Sequence, residues 1–183
     1  MPRLTKPLLK KPSVIWLTGL SGAGKSTVAK GLEQALKSQN IPVSVLDGDA
    51  LRANLNKDLG FSKEDRIENI RRTAVMAKSF VDSGSVVIVA LISPYAEGRQ
   101  QARQLFQEGQ FLEVFIDTPL EVCIQRDPKG LYARALNGDI KNFTGIDAPY
   151  EAPLNPELSL NTQKHSANEL IETITKHLNL MVN

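Results

Sequence analysis

Residues 19–27 combine residue types that together bind phosphate groups. The stretch reads GLSGAGKST, which contains the G-x-x-x-x-G-K-[ST] pattern of a phosphate-binding loop. Its glycines let backbone N–H groups converge on an anion, Lys25 can reach terminal phosphates, and the Ser26 hydroxyl is a ligand for Mg²⁺. The residues predicted to hold ATP here are Gly19, Leu20, Ser21, Gly22, Ala23, Gly24, Lys25, Ser26 and Thr27.

This pattern has its functional meaning only where a strand precedes the loop and a helix follows it. The apolar residues 14–17 predict a buried strand, and residues 25–38 predict a helix with an apolar side. The N–H groups and dipole at the start of that helix also favour negative charge. This context makes a chance match by a flexible glycine loop the weaker interpretation.

Two polar residues come at the ends of further predicted strands. Asp47 follows residues 43–46, and Ser93 follows the apolar residues 86–91. The carboxyl ends of parallel strands form the edge at which such sheets bind ligands, so both side chains are candidates for the site. Asp47 is predicted to bind Mg²⁺ or to accept a proton from a substrate hydroxyl. The alternative is an Asx-type cap on the next helix, a role that suits Asp49.

A row of residues after Asp47 is suited to a second, anionic substrate. Arg52, Arg66 and Asn69 lie on two predicted helices, and Phe61 stands before the S-x-x-D capping pattern of residues 62–65. Arginines bind oxyanions through paired hydrogen bonds. A charged helix face in water, with Phe61 in the core, fits the same residues, so both interpretations stay open here.

Residues 127–156 are the least regular part of the chain. Periodicity fades there, while glycine, proline, basic and aromatic residues accumulate. In a nucleotide enzyme such a segment is predicted to be a lid, and an ordinary surface excursion is the alternative.

The alternation of strands and helices predicts an α/β fold of the three-layer P-loop NTPase type. We expect a parallel sheet of about five strands with helices on both faces. The 183 residues suit one domain, residues 13–183, with its lid at 127–156. Residues 1–12 are basic and without acids, which predicts a poorly ordered arm.

The composition argues against nucleic acid and membrane as main partners and favours a reducing compartment. The net charge of +2 is too small to indicate nucleic acid or membrane as the main partner. The longest apolar run, residues 86–92, is too short to span a bilayer. A single cysteine, Cys123, excludes an intrachain disulfide and fits a reducing cytoplasm, where we expect the protein to act.

The phosphate loop alone does not distinguish kinases from nucleotide switches or motors. The N-K-x-D motif for guanine fails at residues 56–59, where the fourth residue is leucine, and no L-S-G-G-Q signature is present. The short chain and basic lid favour a small-molecule kinase. A degenerate, non-catalytic nucleotide-binding domain is the remaining alternative, and intact Lys25, Ser26 and Asp47 weigh against it.

A series of motifs along nearly the whole chain resembles the adenylyl-sulfate kinase family. After GLSGAGKST they are LDGDALR (46–52), LNKDLGF (55–61), DRIENIRR (65–72), ISPY (92–95), QRDPKGLY (125–132) and FTGIDAPYEAP (143–153). Only the first is shared with kinases generally. The resemblance implies transfer of the ATP γ-phosphate to the 3′-hydroxyl of adenosine 5′-phosphosulfate (APS), in sulfate assimilation, by a homodimer.

The resemblance also implies site residues. The residues that we ourselves expect to act in catalysis are Lys25, Asp47, Ser93 and Lys129. In this hypothesis Asp47 orients Mg²⁺ or the 3′-hydroxyl, and the two lysines neutralise developing charge. Those implied to contact ATP beyond the loop are Cys123 and Arg126. Those implied to form the APS pocket are Asp49, Arg52, Phe61, Arg66, Asn69, Ile92, Ser93, Lys129, Asn142 and Phe143, with the two phenylalanines stacking on the adenine.

Two roles for Ser93 follow from different arguments. The resemblance suggests a phosphoserine intermediate. A serine nucleophile, however, needs an adjacent base, and the sequence places none beside Ser93. Phosphoryl transfer depends mainly on positioning and charge neutralisation, so we favour direct in-line transfer with Ser93 positioning the acceptor.

Overall fold

A computed structural model describes residues 12–180 as a parallel sheet with helices on both faces. The strands, in the spatial order β2-β3-β1-β4-β5, are β1 (Val14–Thr18), β2 (Val43–Asp47), β3 (Val86–Ala90), β4 (Phe111–Ile116) and β5 (Leu158–Leu160). The helices are α1 (Lys25–Lys37), α2 (Gly48–Ala53), α3 (Lys63–Asp82), α4 (Ala96–Arg103), α5 (Leu120–Arg126), α6 (Leu131–Leu136) and α7 (Ala167–Leu180). The predicted basic arm lies, except for Pro12, outside the described residues.

The centre of the sheet is apolar on both faces. All five residues of β1 and of β3 are buried, as expected for parallel strands covered by helices on each side. In register, Leu17 pairs with Ala90 of β3 and with Val114 of β4. One core lies under α1 and α7, and a second lies under α3. The predicted fold class, with five parallel strands between two helical layers, is confirmed.

Helix ends follow the capping chemistry of the sequence. Ser62 accepts a hydrogen bond from the Asp65 N–H at the start of α3. Ser166 and Glu169 form the reciprocal capping box before α7. The cap of α2, in contrast, is Asp47, which accepts from the Asp49 N–H at 3.0 Å. The alternative that made Asp49 the cap was wrong, because α2 begins at Gly48.

The segment predicted to be irregular contains regular structure. Within residues 127–156 the chain forms α6, whose Tyr132 is buried, and then returns through turns in which Phe143 and Thr144 are also buried. The segment therefore has its own core contacts. Within residues 12–180, no helix combines the length and apolar character needed to cross a membrane.

Candidate active site

One large cleft opens at the carboxyl edge of the sheet. Its volume is about 800 Å³, within the range of small-molecule sites. The phosphate loop forms one wall, the α2–α3 region the opposite wall, and residues 126–144 the roof. The predicted site residues that line it are Ser21, Gly22, Gly24, Lys25, Ser26, Thr27, Asp47, Asp49, Arg52, Phe61, Arg66, Asn69, Ile92, Ser93, Arg126, Lys129, Asn142 and Phe143.

The backbone of the phosphate loop requires its glycines. Gly22 and Gly24 have φ values of 74° and 112°, which side chains other than glycine rarely adopt. A Cβ added at Gly19 would lie 2.7 Å from the carbonyl oxygen of Ile116, so the loop packs directly on the end of β4. Gly24 precedes α1, and the free N–H groups of that helix start therefore face the cleft wall.

Lys25 is a buried cation held against the loop. It is 9% exposed, and its Nζ donates to the carbonyls of Gly19 at 2.9 Å and Leu20 at 2.7 Å. Burial lowers the pKa of Lys25 to about 8, with Lys129 lowering it further, while Cys123, Asp47 and Asp49 oppose the change. An anion at the loop would supply the missing counter-charge.

Ser26 and Asp47 form an oxygen pair suited to Mg²⁺. The Ser26 hydroxyl donates to Asp47 Oδ2 at 3.0 Å, and both side chains line the cleft beside Lys25. Magnesium prefers hard oxygen ligands and is often bound by one or two protein oxygens together with substrate phosphates. The donor set therefore fits Mg²⁺. No group of three or more His, Cys, Asp or Glu that could hold a metal occurs in residues 12–180.

The opposite wall carries the predicted arginines and an exposed aromatic ring. Phe61 is 54% exposed, so the alternative that placed it in the core was wrong. The Arg52 guanidinium lies 4.5 Å from the centre of its ring and donates to the carbonyls of Leu59 and Gly60. Arg66 lies 5.6 Å from the same ring centre. Burial lowers the pKa of both arginines, and neither forms an ion pair with a carboxylate within residues 12–180.

Arg66 also joins this wall to the roof. Its Nε donates to the Phe61 carbonyl at 3.1 Å and its Nη2 to the Asn142 carbonyl at 2.5 Å. Phe143, next to Asn142, is buried and packs edge-to-face on Tyr132. Asn69 accepts from the buried Asn56 amide at 2.6 Å. That bond orients the Asn69 amide at the floor of the cleft.

An ion pair connects the two sides of the cleft. Lys129 in the roof binds the carboxylate of Asp49 on α2, and both side chains are largely exposed. Exposed pairs of this kind contribute little stability. The pair therefore leaves both groups free to exchange partners when a charged ligand enters.

Ser93 is held in a constrained turn after β3. It is 3% exposed and has a φ of 50°, which is uncommon for a residue other than glycine. Its hydroxyl accepts from Trp16 Nε1 at 2.9 Å. No acidic or imidazole group hydrogen-bonds that hydroxyl within the described residues. The preceding Ile92 carbonyl accepts from the Thr18 hydroxyl and from the Gly19 N–H.

Arg126 lines the cleft beyond the loop, whereas Cys123 does not. Arg126 Nη1 donates to the carbonyl of Ala23 at 3.3 Å and to the hydroxyl of Thr162 at 2.9 Å. Cys123 lies beneath the loop, fully buried, with its thiol directed to the Thr118 carbonyl. Burial also raises the pKa of that thiol. In this structure the Cys123 backbone packs under Gly22, and its contact with ATP stays a prediction.

Three further predicted loop residues do not line the cleft. Gly19, Leu20 and Ala23 face the protein, and their carbonyls accept from Lys25, Thr118 and Arg126. Two residues near the site were missed. Thr162 lies two residues after the end of β5, so a strand-end search extended by two residues would have found it. Arg99 on α4 contacts the Ser93 carbonyl and gave no signal in the sequence.

The fold and the cleft together define a P-loop kinase that acts on a small molecule. Residues 11–161 match the family model described as adenylylsulphate kinase. The probable adenylyl-sulfate kinase of Bacillus subtilis is 54% identical over 92% of this chain and 87% of its own length. The bifunctional enzyme NodQ of Rhizobium sp. strain N33 is also 54% identical, over 93% of this chain, which spans 26% of that longer protein.

Solved structures agree with this grouping. The Mycobacterium tuberculosis APS kinase CysC, in complex with AMPPNP and APS, is 48% identical, with a TM-score of 0.88 over 92% of this chain and 98% of that one. A hexameric APS kinase from Thiobacillus denitrificans is 30% identical, with a TM-score of 0.69 over 96% of this chain and 30% of that one. The chain belongs to the adenylylsulphate kinase family. The family predicted from the sequence is therefore confirmed.

Proposed function

We propose that this chain transfers the γ-phosphoryl group of ATP to the 3′-hydroxyl of APS, giving 3′-phosphoadenylyl sulfate and ADP. One observation carries the proposal. In a chain of this family, a complete phosphate loop faces a wall of two arginines and an exposed phenylalanine across a single cleft. The first wall suits a triphosphate, and the second suits a sulfated nucleotide with an aromatic base.

The ATP half of the cleft is built around the loop. The N–H groups at the start of α1 would bind the phosphates, and Lys25 would turn from its loop carbonyls to the terminal phosphates. Ser26 and Asp47 would hold Mg²⁺, which when bound neutralises charge on the phosphates. Arg126 contributes a cation next to the loop.

The APS half is built from α2, α3 and the roof. Arg52 and Arg66 would bind the phosphosulfate oxygens, and the exposed Phe61 offers one face to the adenine. Phe143 already packs on Tyr132, so it would contact the base with the part of its ring that lines the cleft. Lys129 would leave Asp49 and approach the transferred group, which gives residues 127–156 the role of a lid.

In the proposed reaction the 3′-oxygen of APS attacks the γ-phosphorus in line. The new P–O bond forms as the bond to the β–γ bridging oxygen breaks, and ADP leaves with that electron pair. Asp47 orients the hydroxyl and accepts its proton, while Lys25 and Lys129 balance charge that develops on the phosphoryl and leaving oxygens. Ser93 positions the acceptor side of the cleft.

A coupled assay of ADP release tests the proposed substrate. We expect turnover with ATP and APS, and at most trace turnover with gluconate, shikimate or AMP as acceptor. Comparable rates with any of those acceptors would reassign the substrate. Absence of turnover with every acceptor, from protein that binds ATP, would support a non-catalytic nucleotide-binding domain.

Replacement of Ser93 by alanine separates positioning from covalent catalysis. The variant leaves the buried Trp16 N–H without its acceptor, so we expect kcat to fall about tenfold rather than vanish. Single-turnover assays with ATP labelled at the γ-phosphate measure the transfer. Complete loss of transfer, with both substrates still bound, would instead support a phosphoserine intermediate.

ATP binding is expected to take up a proton in mildly alkaline solution. The pKa of Lys25 is about 8 in the free protein, and a triphosphate beside it raises that pKa. Above about pH 8 the free lysine is largely neutral and must gain a proton on binding, so ATP affinity falls as pH rises. Calorimetry in two buffers of different ionisation enthalpy measures the uptake. The same uptake in Lys25→Met would assign it to another group.

We further propose that the protein acts in the cytoplasm as a homodimer. A lone, buried thiol suits a reducing compartment. Light scattering on the purified chain of 20.1 kDa tests the assembly, and we expect twice that mass. A monomer, or a hexamer as in the Thiobacillus relative, would contradict the dimer.

A further inference from the structure

Arg99 on α4 is a buried arginine just behind the cleft. It is 3% exposed, and each of its three guanidinium nitrogens donates a hydrogen bond to a different part of the chain. Nε donates to Glu113 of β4 at 2.8 Å, Nη1 to the Ser93 carbonyl at 2.6 Å, and Nη2 to the Glu151 carbonyl at 2.7 Å. The side chain thus connects the sheet, the turn after β3 and the end of residues 127–156, which include most of the roof and are called the roof segment below.

Glu113 provides the charge that keeps Arg99 in place. This carboxylate is itself buried, and its Oε1 accepts from Arg99. A buried arginine without a partner would be costly, whereas a paired and hydrogen-bonded one is tolerated. The ion pair therefore anchors the guanidinium and leaves two of its nitrogens to bind backbone carbonyls on the cleft side.

The Ser93 turn depends on this guanidinium for its conformation. Ser93 has the left-handed φ of 50°, and such conformations persist only where the surroundings determine them strongly. Its carbonyl accepts from Arg99 at 2.6 Å and from the Thr18 hydroxyl at 3.4 Å. Of these two donors, Arg99 is the charged one and makes the shorter bond.

The end of the roof segment is attached to the same turn. The Glu151 N–H donates to the Pro94 carbonyl at 2.8 Å, and its carboxylate accepts from the Ala96 N–H at 2.8 Å. The Tyr150 ring centre lies 5.9 Å from the Arg99 guanidinium carbon, and the Tyr150 hydroxyl bonds to Thr18 at 2.9 Å. Within the described residues, Arg99 is the one side chain that donates hydrogen bonds to both the Ser93 and the Glu151 carbonyls.

We propose that Arg99 is a positioning residue for the acceptor side of the cleft. It couples the Ser93 turn to the end of residues 127–156. When that segment closes over a ligand, the coupling keeps the Ser93 turn in the conformation that positions the acceptor. The inference deepens the proposed function and depends on it for the identity of the acceptor. ATP, on the other wall, does not require this coupling.

Arg103 provides a matched control. It lies one helical turn after Arg99 and also pairs with Glu113, at 3.3 Å, but its other partners are Glu157 and the Phe111 carbonyl. Arg103→Met therefore removes a cation from the same ion-pair network, and the Arg103 side chain, which is 37% exposed, makes no hydrogen bond to the Ser93 turn within the described residues. A merely structural role for Arg99 predicts similar behaviour of Arg99→Met and Arg103→Met.

The kinetic test compares these variants with APS varied at saturating ATP, and the reverse. We expect Arg99→Met to lower kcat/KM for APS about 100-fold, as for small misplacements of a reacting group, with KM for ATP changed less than about threefold. Arg103→Met is expected to keep kcat/KM for APS within about threefold. Equal losses in both variants, or an equal loss for ATP, would overturn the proposal. If Arg99→Met does not fold, Arg99→Lys retains the charge opposite Glu113 while losing the forked geometry.

Hydrogen exchange gives a readout that does not depend on the reaction. The amides of Ala96 and Glu151 make the bonds that join the turn to the roof segment. We expect both to lose protection in Arg99→Met and to keep it in Arg103→Met. Unchanged protection in Arg99→Met would disprove the coupling even in an active kinase. If the wild type does not use APS, the proposed function is wrong. The exchange measurement still tests whether Arg99 couples the Ser93 turn to the roof segment, because it does not require turnover.

Discussion

Replacement of Asp47 by alanine is expected to lower kcat about 1,000-fold while the dissociation constant for ATP changes far less. Asp47 stands at the end of β2, where its Oδ2 is 3.0 Å from the Ser26 hydroxyl. The substitution removes both the carboxylate that would orient the acceptor and one of two oxygens suited to Mg²⁺. The loop, which would provide most contacts to the phosphates, is left intact, so we expect ATP binding to survive.

The capping role of Asp47 requires a separate control. Its Oδ1 accepts from the Asp49 N–H at the start of α2, and losing such a cap costs about 0.5–2 kcal/mol. Asp47→Asn keeps an oxygen for the cap but removes the charge. We expect Asp47→Asn to regain the thermal stability lost in Asp47→Ala without regaining turnover. Near-normal kcat in either variant, from steady-state assays, would exclude Asp47 from the mechanism.

The ends of the strands could be predicted from the sequence, because a change from mainly apolar to polar residues marks the point where a strand leaves the core. That contrast located β4 at residues 111–116 and β5 at residues 158–160, as the structure has them. It also placed Asp47 and Ser93 at one edge, since parallel strands share a direction. Thr162 was overlooked because it lies two residues past the end of β5 and does not follow that strand directly.

Other features depend on contacts between distant parts of the chain. The cap of α2 is Asp47 and not Asp49 because the helix begins at Gly48, two residues earlier than expected, and local sequence fixes helix ends only to within one or two residues. Helix α6 was not predicted, since its stability comes from burial of Tyr132 against Phe143 and not from local periodicity. The sequence shows Arg99 only as a charged residue in a predicted helix, because its partners Glu113 and Glu151 are distant along the chain and approach it only in the fold.

Replacement of Lys25 by methionine is expected to be the most damaging single change in the ATP half. Methionine keeps an apolar stem of similar length but removes the charge at the loop. Loss of one preorganised donor to a developing oxyanion costs about 100–1,000-fold in kcat, and we expect kcat/KM for ATP to fall further. Lys30→Met is the matched control, because Lys30 is an exposed lysine on the same helix outside the cleft. Similar losses in the two variants would indicate a general effect of charge on α1.

The same substitution should stabilise the free protein. The pKa of Lys25 is lowered to about 8 by burial, so at neutral pH the folded state carries a charge that the unfolded chain accommodates more easily. Removing it relieves that cost, although the bonds to Gly19 and Leu20 are lost as well. We therefore expect Lys25→Met to have a higher Tm than the wild type without nucleotide and to lose the stabilisation that ATP gives the wild type. A lower Tm without nucleotide would contradict this expectation. It would show that the hydrogen bonds of Lys25 to the loop stabilise the free protein by more than the burial of its charge destabilises it.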